Sequence, residues 1–390
     1  VNVDRATYET YQRCEDPLLG PRLREVVTIQ PAAASDERYA RIGFSGTTCP
    51  FLTGGLCGIQ NTLGESYLST VCARFPRTVN TVDDVFQRSL DLSCPEAARL
   101  LLLDPNPMAF DEEAGPPGDS RIGEPSMLTT LDDASPKPYR YFQEIRAFAI
   151  DVLQYRAYPL WQRLVVLASF CDRLEQLAAA GRNRQVPGTI QWFREAMLSN
   201  SLNAGQQPEL NPVVQLAVVL ELIVARITGE YVSPRFLECY REFKEGIEWT
   251  AESSMEEIGA RYAAAYRRDL EPFVAQHGHM LEHYLVSYVH NTLFPLGAQK
   301  TNRDPSLHPG PQTVREHCLT MFVHYGVIQT VLTGVAAFRR PDFGTADVIR
   351  VIQSVTKVFE HNLAFPQEAL KILEQKGARN CVSLALLLRI

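Results

Sequence analysis

Residues 49–99 read CPFLTGGLCGIQNTLGESYLSTVCARFPRTVNTVDDVFQRSLDLSCPEAAR. Four of the nine cysteines, Cys49, Cys57, Cys72 and Cys94, lie in this stretch, and the other five are scattered singly. Each of the four has a neighbour with a geometric consequence. Pro50 follows Cys49. Gly54 and Gly55 accept positive φ, so a turn there brings Cys49 and Cys57 to neighbouring positions. Cys72 falls near the end of a short helix over NTLGESYLSTVCARF, stopped by Pro76. Ser93, with Glu96 three residues on, reads as a capping box, and Pro95 occupies the first turn. Cys94 therefore sits at a helix N-terminus, where the partial positive charge favours a thiolate. The stretch is expected to fold around a metal centre, with the remaining chain as a helical body.

Upstream, VNVDRATYETYQ alternates and then turns helical, and Pro17, Gly20 and Pro21 break it. RLREVVTIQ and RYARIGF carry strand-like alternation on either side of a polar turn, PAAASDE. Within the stretch, VDDVFQRSL reads as a second short helix. Downstream, 104–138 is rich in Pro, Gly and acid, as expected of a linker or long loop. From Tyr139 onward the apolar period is helical, with helices expected at about 139–155, 158–180, 187–200, 211–228, 234–249, 254–270, 278–294, 312–338, 345–362 and 366–377. The fold class is mainly α. A small Cys-rich N-terminal domain (1–103, α with a minor β hairpin) precedes the 104–138 linker and an all-helical domain (139–390).

A chain of 390 residues with 45% hydrophobic and 21% charged residues has an ordinary globular composition. Its net charge of −7 lacks the basic footprint of a nucleic-acid binder. No apolar run reaches the ~20 residues of a membrane span, the best, Leu216 to Ala225, being interrupted by Glu221. No signal peptide is visible, so a disulfide framework is not expected.

Four thiolates could bind Zn²⁺ or an iron–sulfur cluster, although C-x-x-C pairs, ferredoxin spacings and a C-x-x-x-C-x-x-C run are all missing. The competing reading is that they are small buried hydrophobes. Core packing is the expectation for Cys14, Cys171, Cys239, Cys318 and Cys381. His279 and His283 share a helix face, but H-E-x-x-H is not met, and His277, His279 and His290 read as an exposed rim. Tyr284 and Tyr288, four apart, could orient an amine or a sulfonium, or pack as core aromatics. No G-x-G-x-x-G, P-loop or G-x-S-x-G is present.

Three runs carry a resemblance: YARIGFSGTTCPFLTGGLCGIQNTLGESYLSTVCARFPR with LSCPEAARLLL, then LEHYLVSYVHNTLFP, then VFEHNLAF. Together they resemble the flagellin lysine-N-methylase (FliB) family, which overlaps a class of Cys-rich zinc- or iron-chelating proteins. The resemblance implies a protein-lysine N-methyltransferase that moves a methyl group from S-adenosylmethionine to lysines of flagellin or another protein. It also implies a [4Fe-4S] cluster, with zinc as the alternative, on Cys49, Cys57, Cys72 and Cys94, and a cytoplasmic location, where flagellin can be modified before export. The family's further group, C-x-x-x-x-C-C followed by Trp, precedes the V-x-V-D segment with which this sequence opens, so further ligands are expected upstream. Lysine must be neutral to accept a methyl group, and its free pKa is about 10.4. Glu282, Tyr284 and Tyr288, in the second run, are the expected catalytic residues. The alternative is a non-enzymatic metal- or partner-binding scaffold with a structural zinc, and an S-adenosylmethionine site would separate the two.

Overall fold

The computed structural model describes residues 1–30, 36–44, 49–114, 125–131, 135–203, 211–229, 232–299 and 312–389. Most of the polar turn expected at 31–37, and 115–124 and 132–134 of the expected linker, lie outside those residues. The chain divides into two compact units, Val1–Thr78 with Glu113–Pro125, and Val79–Glu112 with Ser126–Ile390.

In the first unit, β1 (Asn2–Val3), β2 (Val27–Ile29) and β3 (Ala40–Ile42) form an antiparallel sheet with β3 in the middle. Helix α1 (Arg5–Gln12) is capped by Asp4, which accepts the Thr7 N–H at 2.8 Å. The Asp4 carboxylate also takes the Thr70 N–H and hydroxyl at 3.2 and 3.0 Å. One cap therefore fixes a helix start and a segment 66 residues away. RLREVVTIQ is helical as far as Val26, in α2 (Leu19–Val26), and extended only in β2. The Asp16 carboxylate accepts the Leu18 and Leu19 N–H groups and starts that helix ahead of the strand signal.

The expected hairpin is present. β4 (Leu52–Thr53) pairs antiparallel with β5 (Leu56–Cys57) across Gly54 and Gly55, whose φ values are 59° and 84°. The helix expected over 61–75 is broken into α3 (Gly58–Leu63) and α4 (Thr70–Arg74), because Gly64 takes φ 87° and Ser69 caps the second piece through the Cys72 N–H. Val3, Tyr11, Leu23, Ile42, Phe51 and Ile59 are among the core residues of this unit.

Strand β6 (Arg77–Val82) carries the chain out of it. VDDVFQRSL, expected as a helix, is instead the turn Asp83–Asp84 and strand β7 (Val85–Leu90). Asp83 takes φ 51°, a conformation Asp tolerates, and the β-branched Thr78, Val79, Thr81 and Val82 suit a pleat. β6 lies between β7 and β8 (Ser126–Leu128), with Asn80 opposite Ser126. Residues 79–103, expected with the Cys-rich segment, and the described parts of 104–112 and 126–138 thus pack within the helical unit. Pro95 opens α5 (Pro95–Leu102), but the capping box does not form. Cys94 is the N-cap, without a side-chain bond, and Glu96 pairs with Arg99.

The helical unit continues with α6 (Phe142–Gln154), α7 (Leu160–Ala179), α8 (Val186–Leu198), α9 (Pro212–Gly229), α10 (Pro234–Gly246), α11 (Met255–Ala265), α12 (Glu271–His277) and α13 (His279–Asn291). It closes with α14 (Val314–Arg339), α15 (Thr345–Val355), α16 (Phe365–Gln375) and α17 (Cys381–Leu387). The mainly α class is as expected. Wide turns of π type, Tyr266–Leu270 and Thr356–Glu360, extend α11 and α15. Helix α14 is the only described helix long and apolar enough to cross a membrane by length and composition, and it corrects the reading of 216–225 as the best such run. It is buried along almost its whole length, as the axis of the core. α10 crosses it at close range. A Cβ on Gly334 would lie 2.6 Å from Phe243 Cα, and one on Gly246 would collide with the Gly334 carbonyl.

Candidate functional site

Cys49, Cys57 and Cys72 are half-buried, unpaired thiols of the first unit. Burial pushes the Cys72 thiol up, and the charges of Cys57 and Cys49 add to that. The Tyr11 hydroxyl, in the same neighbourhood, is also raised, first by burial and then by Cys72 and Cys57. Cys94 belongs to the helical unit. A [4Fe-4S] cluster takes four thiolates. Among the described residues no group of three or more His, Cys, Asp or Glu side chains is gathered to hold a metal ion. The three thiols of the first unit do not by themselves make up the four thiolates of the cluster that the resemblance implies.

The three expected catalytic residues stand on α13 but not in one place. Glu282 is 1% exposed and carries two arginines. Arg156 grips it with Nε at 3.0 Å and Nη2 at 2.8 Å, and Arg163 Nη1 lies 2.8 Å away. Burial works to raise the carboxyl, and the arginine bonds more than offset it, holding it below the ordinary range. Glu282 is a fixed anion that braces α13 against α6–α7, not a proton acceptor. Tyr288 is buried, edge-on to His317 and His324. Burial lowers both imidazoles to about 3, so they are neutral, and His324 has no partner on either ring nitrogen among the described residues.

Tyr284 is different. Its hydroxyl donates to Glu360 Oε1 at 2.7 Å. Glu360 closes the wide turn after α15, a geometry frequent at functional sites. It is only half-buried, yet its carboxyl is pushed up to about 7. Burial is the main cause and the Asp91 charge adds, against the Tyr284 bond and the His361 charge. The next residue, exposed His361, meets Asp91 through Nε2···Oδ2 at 2.8 Å. Asp91 is raised by burial but held below its ordinary value by His361 and the Ser93 N–H. Nearby, Gln353 Nε2 donates to Ser93 O at 2.7 Å, and Asn291 Nδ2 to Leu90 O at 3.0 Å. The site therefore runs from an exposed His361–Asp91 rim to a half-buried Glu360 and a buried Tyr284. It draws together segments from all three sequence runs singled out above.

Sequence reasoning missed Glu360, His361 and Asp91. Glu360 and His361 lay in VFEHNLAF, but only the fold sets them beside Tyr284. The histidine rim is partly corrected: His290 is buried, stacked on Phe110, and lowered by burial to about 4. His283 bonds Leu101 O through Nδ1 at 2.8 Å, and its Nε2 is buried without a partner.

A helical unit presenting a carboxyl tuned near neutrality, supported by a tyrosine and flanked by an Asp–His pair, defines a protein with a candidate proton-accepting centre. Residues 146–387, more than half of the chain, match the family described as FliB lysine N-methylase C-terminal domain. The chain belongs to that family. It is similar to a protein named Lysine-N-methylase from Salmonella typhimurium, with 29% identity over 114 residues, 29% of this chain and 28% of that protein. A protein of the same name from Salmonella choleraesuis gives the same figures. The match to "Flagellar biosynthetic protein FliU" of Salmonella muenchen is 29% identical over 114 residues, 29% of this chain and 68% of that protein. The chain thus spans a little over a quarter of the Lysine-N-methylase relatives. No solved structure matches.

Proposed function

We propose that this protein is a lysine N-methyltransferase that moves a methyl group from S-adenosylmethionine to lysine side chains of flagellin. The observation that carries the reading is the family match over residues 146–387, inside which the Tyr284 hydroxyl donates to Glu360 at 2.7 Å, a carboxyl that burial pushes up to about 7. A lysine ammonium reaching Glu360 gives up a proton to the ionised carboxylate. The freed nitrogen lone pair attacks the sulfonium methyl, the carbon–sulfur bond breaks, and the thioether leaves with that electron pair. A pKa near the working pH keeps a large share of Glu360 ionised while leaving it basic enough to act. Tyr284, whose own hydroxyl is held neutral by burial and by the Glu360 charge, remains a donor that fixes the carboxylate. Asp91, held ionised below its ordinary value, would leave the sulfonium an anionic neighbour once Glu360 has taken the proton.

The name of one relative, a flagellar biosynthetic protein, supports flagellin as the substrate, and modification before export would place the reaction in the cytoplasm. For a metal, the proposal is confined to Cys49, Cys57 and Cys72 as thiols offered to an iron–sulfur cluster or to zinc, with Cys94 not counted among them. Transfer of labelled methyl from S-adenosylmethionine to flagellin lysines tests the reading. Label on lysine, lost in Glu360→Gln, supports it, and no label with the full-length protein overturns it.

A further inference from the structure

Away from Glu360, the helical unit holds a cavity of about 540 Å³ whose lining includes Lys137, Arg140, Tyr141, Arg182, Asn183 and Arg184. Among the described residues no Asp or Glu lines it. That is a local reversal of sign in a chain of net charge −7. The three arginines are exposed, and none of their guanidinium groups has a hydrogen-bond or ion-pair partner among the described residues. The neighbouring arginines are treated otherwise: Arg194 is paired with Asp151 at 2.8 Å and Arg315 with Asp172 at 2.8 Å. Lys137 spends one N–H on Leu296 O at 2.9 Å and keeps two. Its ammonium is lowered by burial, against the charges of Glu175 and Glu316, and an anion beside it would favour the charged form.

Two further features give the cavity a direction. Gln185, also in the lining, is the N-cap of the 13-residue α8 and makes no side-chain cap bond, so the positive end of that helix adds to the four cations. Asn183 donates through Nδ2 to Pro136 O at 3.0 Å, which orients the amide and leaves its buried Oδ1 without a donor among the described residues.

We propose that this cavity binds an organic phosphate. Guanidinium forks match phosphate oxygens bidentately, and a phosphate monoester, carrying about −1.5 to −2 at neutral pH, matches several cations better than one carboxylate does. The volume lies in the ~300–1,000 Å³ range of small-molecule sites and is far larger than one phosphate needs. The ligand therefore carries a body beyond its phosphate, with a hydrogen-bond donor for Asn183 Oδ1 and a face for the Tyr141 ring. The inference is independent of the methyl-transfer reading.

Calorimetric titration of the full-length protein with adenosine 5′-monophosphate, glucose 6-phosphate, inorganic phosphate and adenosine tests it. At least one organic phosphate is expected to bind saturably with Kd below about 1 mM. Inorganic phosphate and adenosine are expected to bind roughly tenfold more weakly or less. R182A/R184A is expected to weaken the organic phosphate by roughly 10- to 100-fold, the effect of losing charge-assisted bonds, with an unchanged melting temperature because both side chains are exposed. Absence of saturable binding by both organic phosphates overturns the proposal. So does undiminished binding in R182A/R184A, or binding of inorganic phosphate or adenosine as tight as that of the organic phosphate.

Discussion

Replacing Glu360 by Gln changes how stability depends on pH, and the direction follows from the site. The Glu360 carboxyl is raised in the folded protein from an ordinary 4.5 to about 7. The folded state therefore holds this proton more tightly than the unfolded chain does. The contribution is fully present below about 4.5, is lost as pH rises through the interval up to about 7, and is constant above it. With these two values, linkage gives a loss of about 2–3 kcal/mol between about pH 5 and pH 8. Gln resembles the protonated acid in shape, keeps an oxygen to accept the Tyr284 hydroxyl, and does not titrate. Wild type and Glu360→Gln should be about equally stable near pH 5, and Glu360→Gln more stable by about 2–3 kcal/mol near pH 8. Urea unfolding at a series of pH values, followed by the circular dichroism of the helices, measures the difference. Parallel stability curves across that range would refute the account of Glu360 as a carboxyl raised by its surroundings.

Removing the Glu282 carboxylate should act on stability first. Glu282→Ala leaves Arg163 as a buried cation without its partner and should cost about 3 kcal/mol in urea unfolding. An unchanged midpoint would contradict the bracing role. Gly246→Ala drives a methyl group into the Gly334 carbonyl of α14 and should cost about 2–3 kcal/mol, read as a lowered Tm. A neutral result would mean that α10 and α14 do not approach so closely. For the cysteines, iron, acid-labile sulfide and zinc should be measured in anaerobically purified full-length protein. Cys49→Ser, Cys57→Ser and Cys72→Ser should each lower metal content, and Cys94→Ser should leave it unchanged. Equal losses from all four would return Cys94 to the ligand set.

The sequence signals that held are those whose cause is local. Gly54-Gly55 between short apolar runs makes the hairpin at Leu52–Cys57 because few other residues accept both positive φ values. The helical period after Tyr139 reproduces the helices because each must bury one face. Where two local signals compete, the reading failed. VDDVFQRSL suits a helix by period, but Asp83 takes the left-handed conformation and turns Val85–Leu90 back as a strand. Ser93 and Glu96 have capping-box spacing, but Arg99 takes Glu96 and the helix starts one residue later. The site was only half legible, since Tyr284 and Glu360 are 76 residues apart and meet through tertiary packing alone. Glu282 had suitable chemistry on paper, and two arginines from a different part of the chain remove it from proton transfer. Cys171, Cys318 and Cys381 read as isolated core residues. They are buried as expected, yet they meet from α7, α14 and α17, with Cys318 raised well above its ordinary value by burial and by its two neighbours.

Methyl transfer is the central claim. Full-length protein, purified anaerobically, should be incubated with flagellin and S-adenosylmethionine carrying a labelled methyl group, and the flagellin peptides sequenced by mass spectrometry. The account expects label on lysine nitrogens, at a rate that rises with pH through about 7, and loss of that limb in folded Glu360→Gln. Unlabelled lysines with the wild type would contradict the methyltransferase reading. A Glu360→Gln rate and pH profile equal to wild type would contradict Glu360 as the proton acceptor.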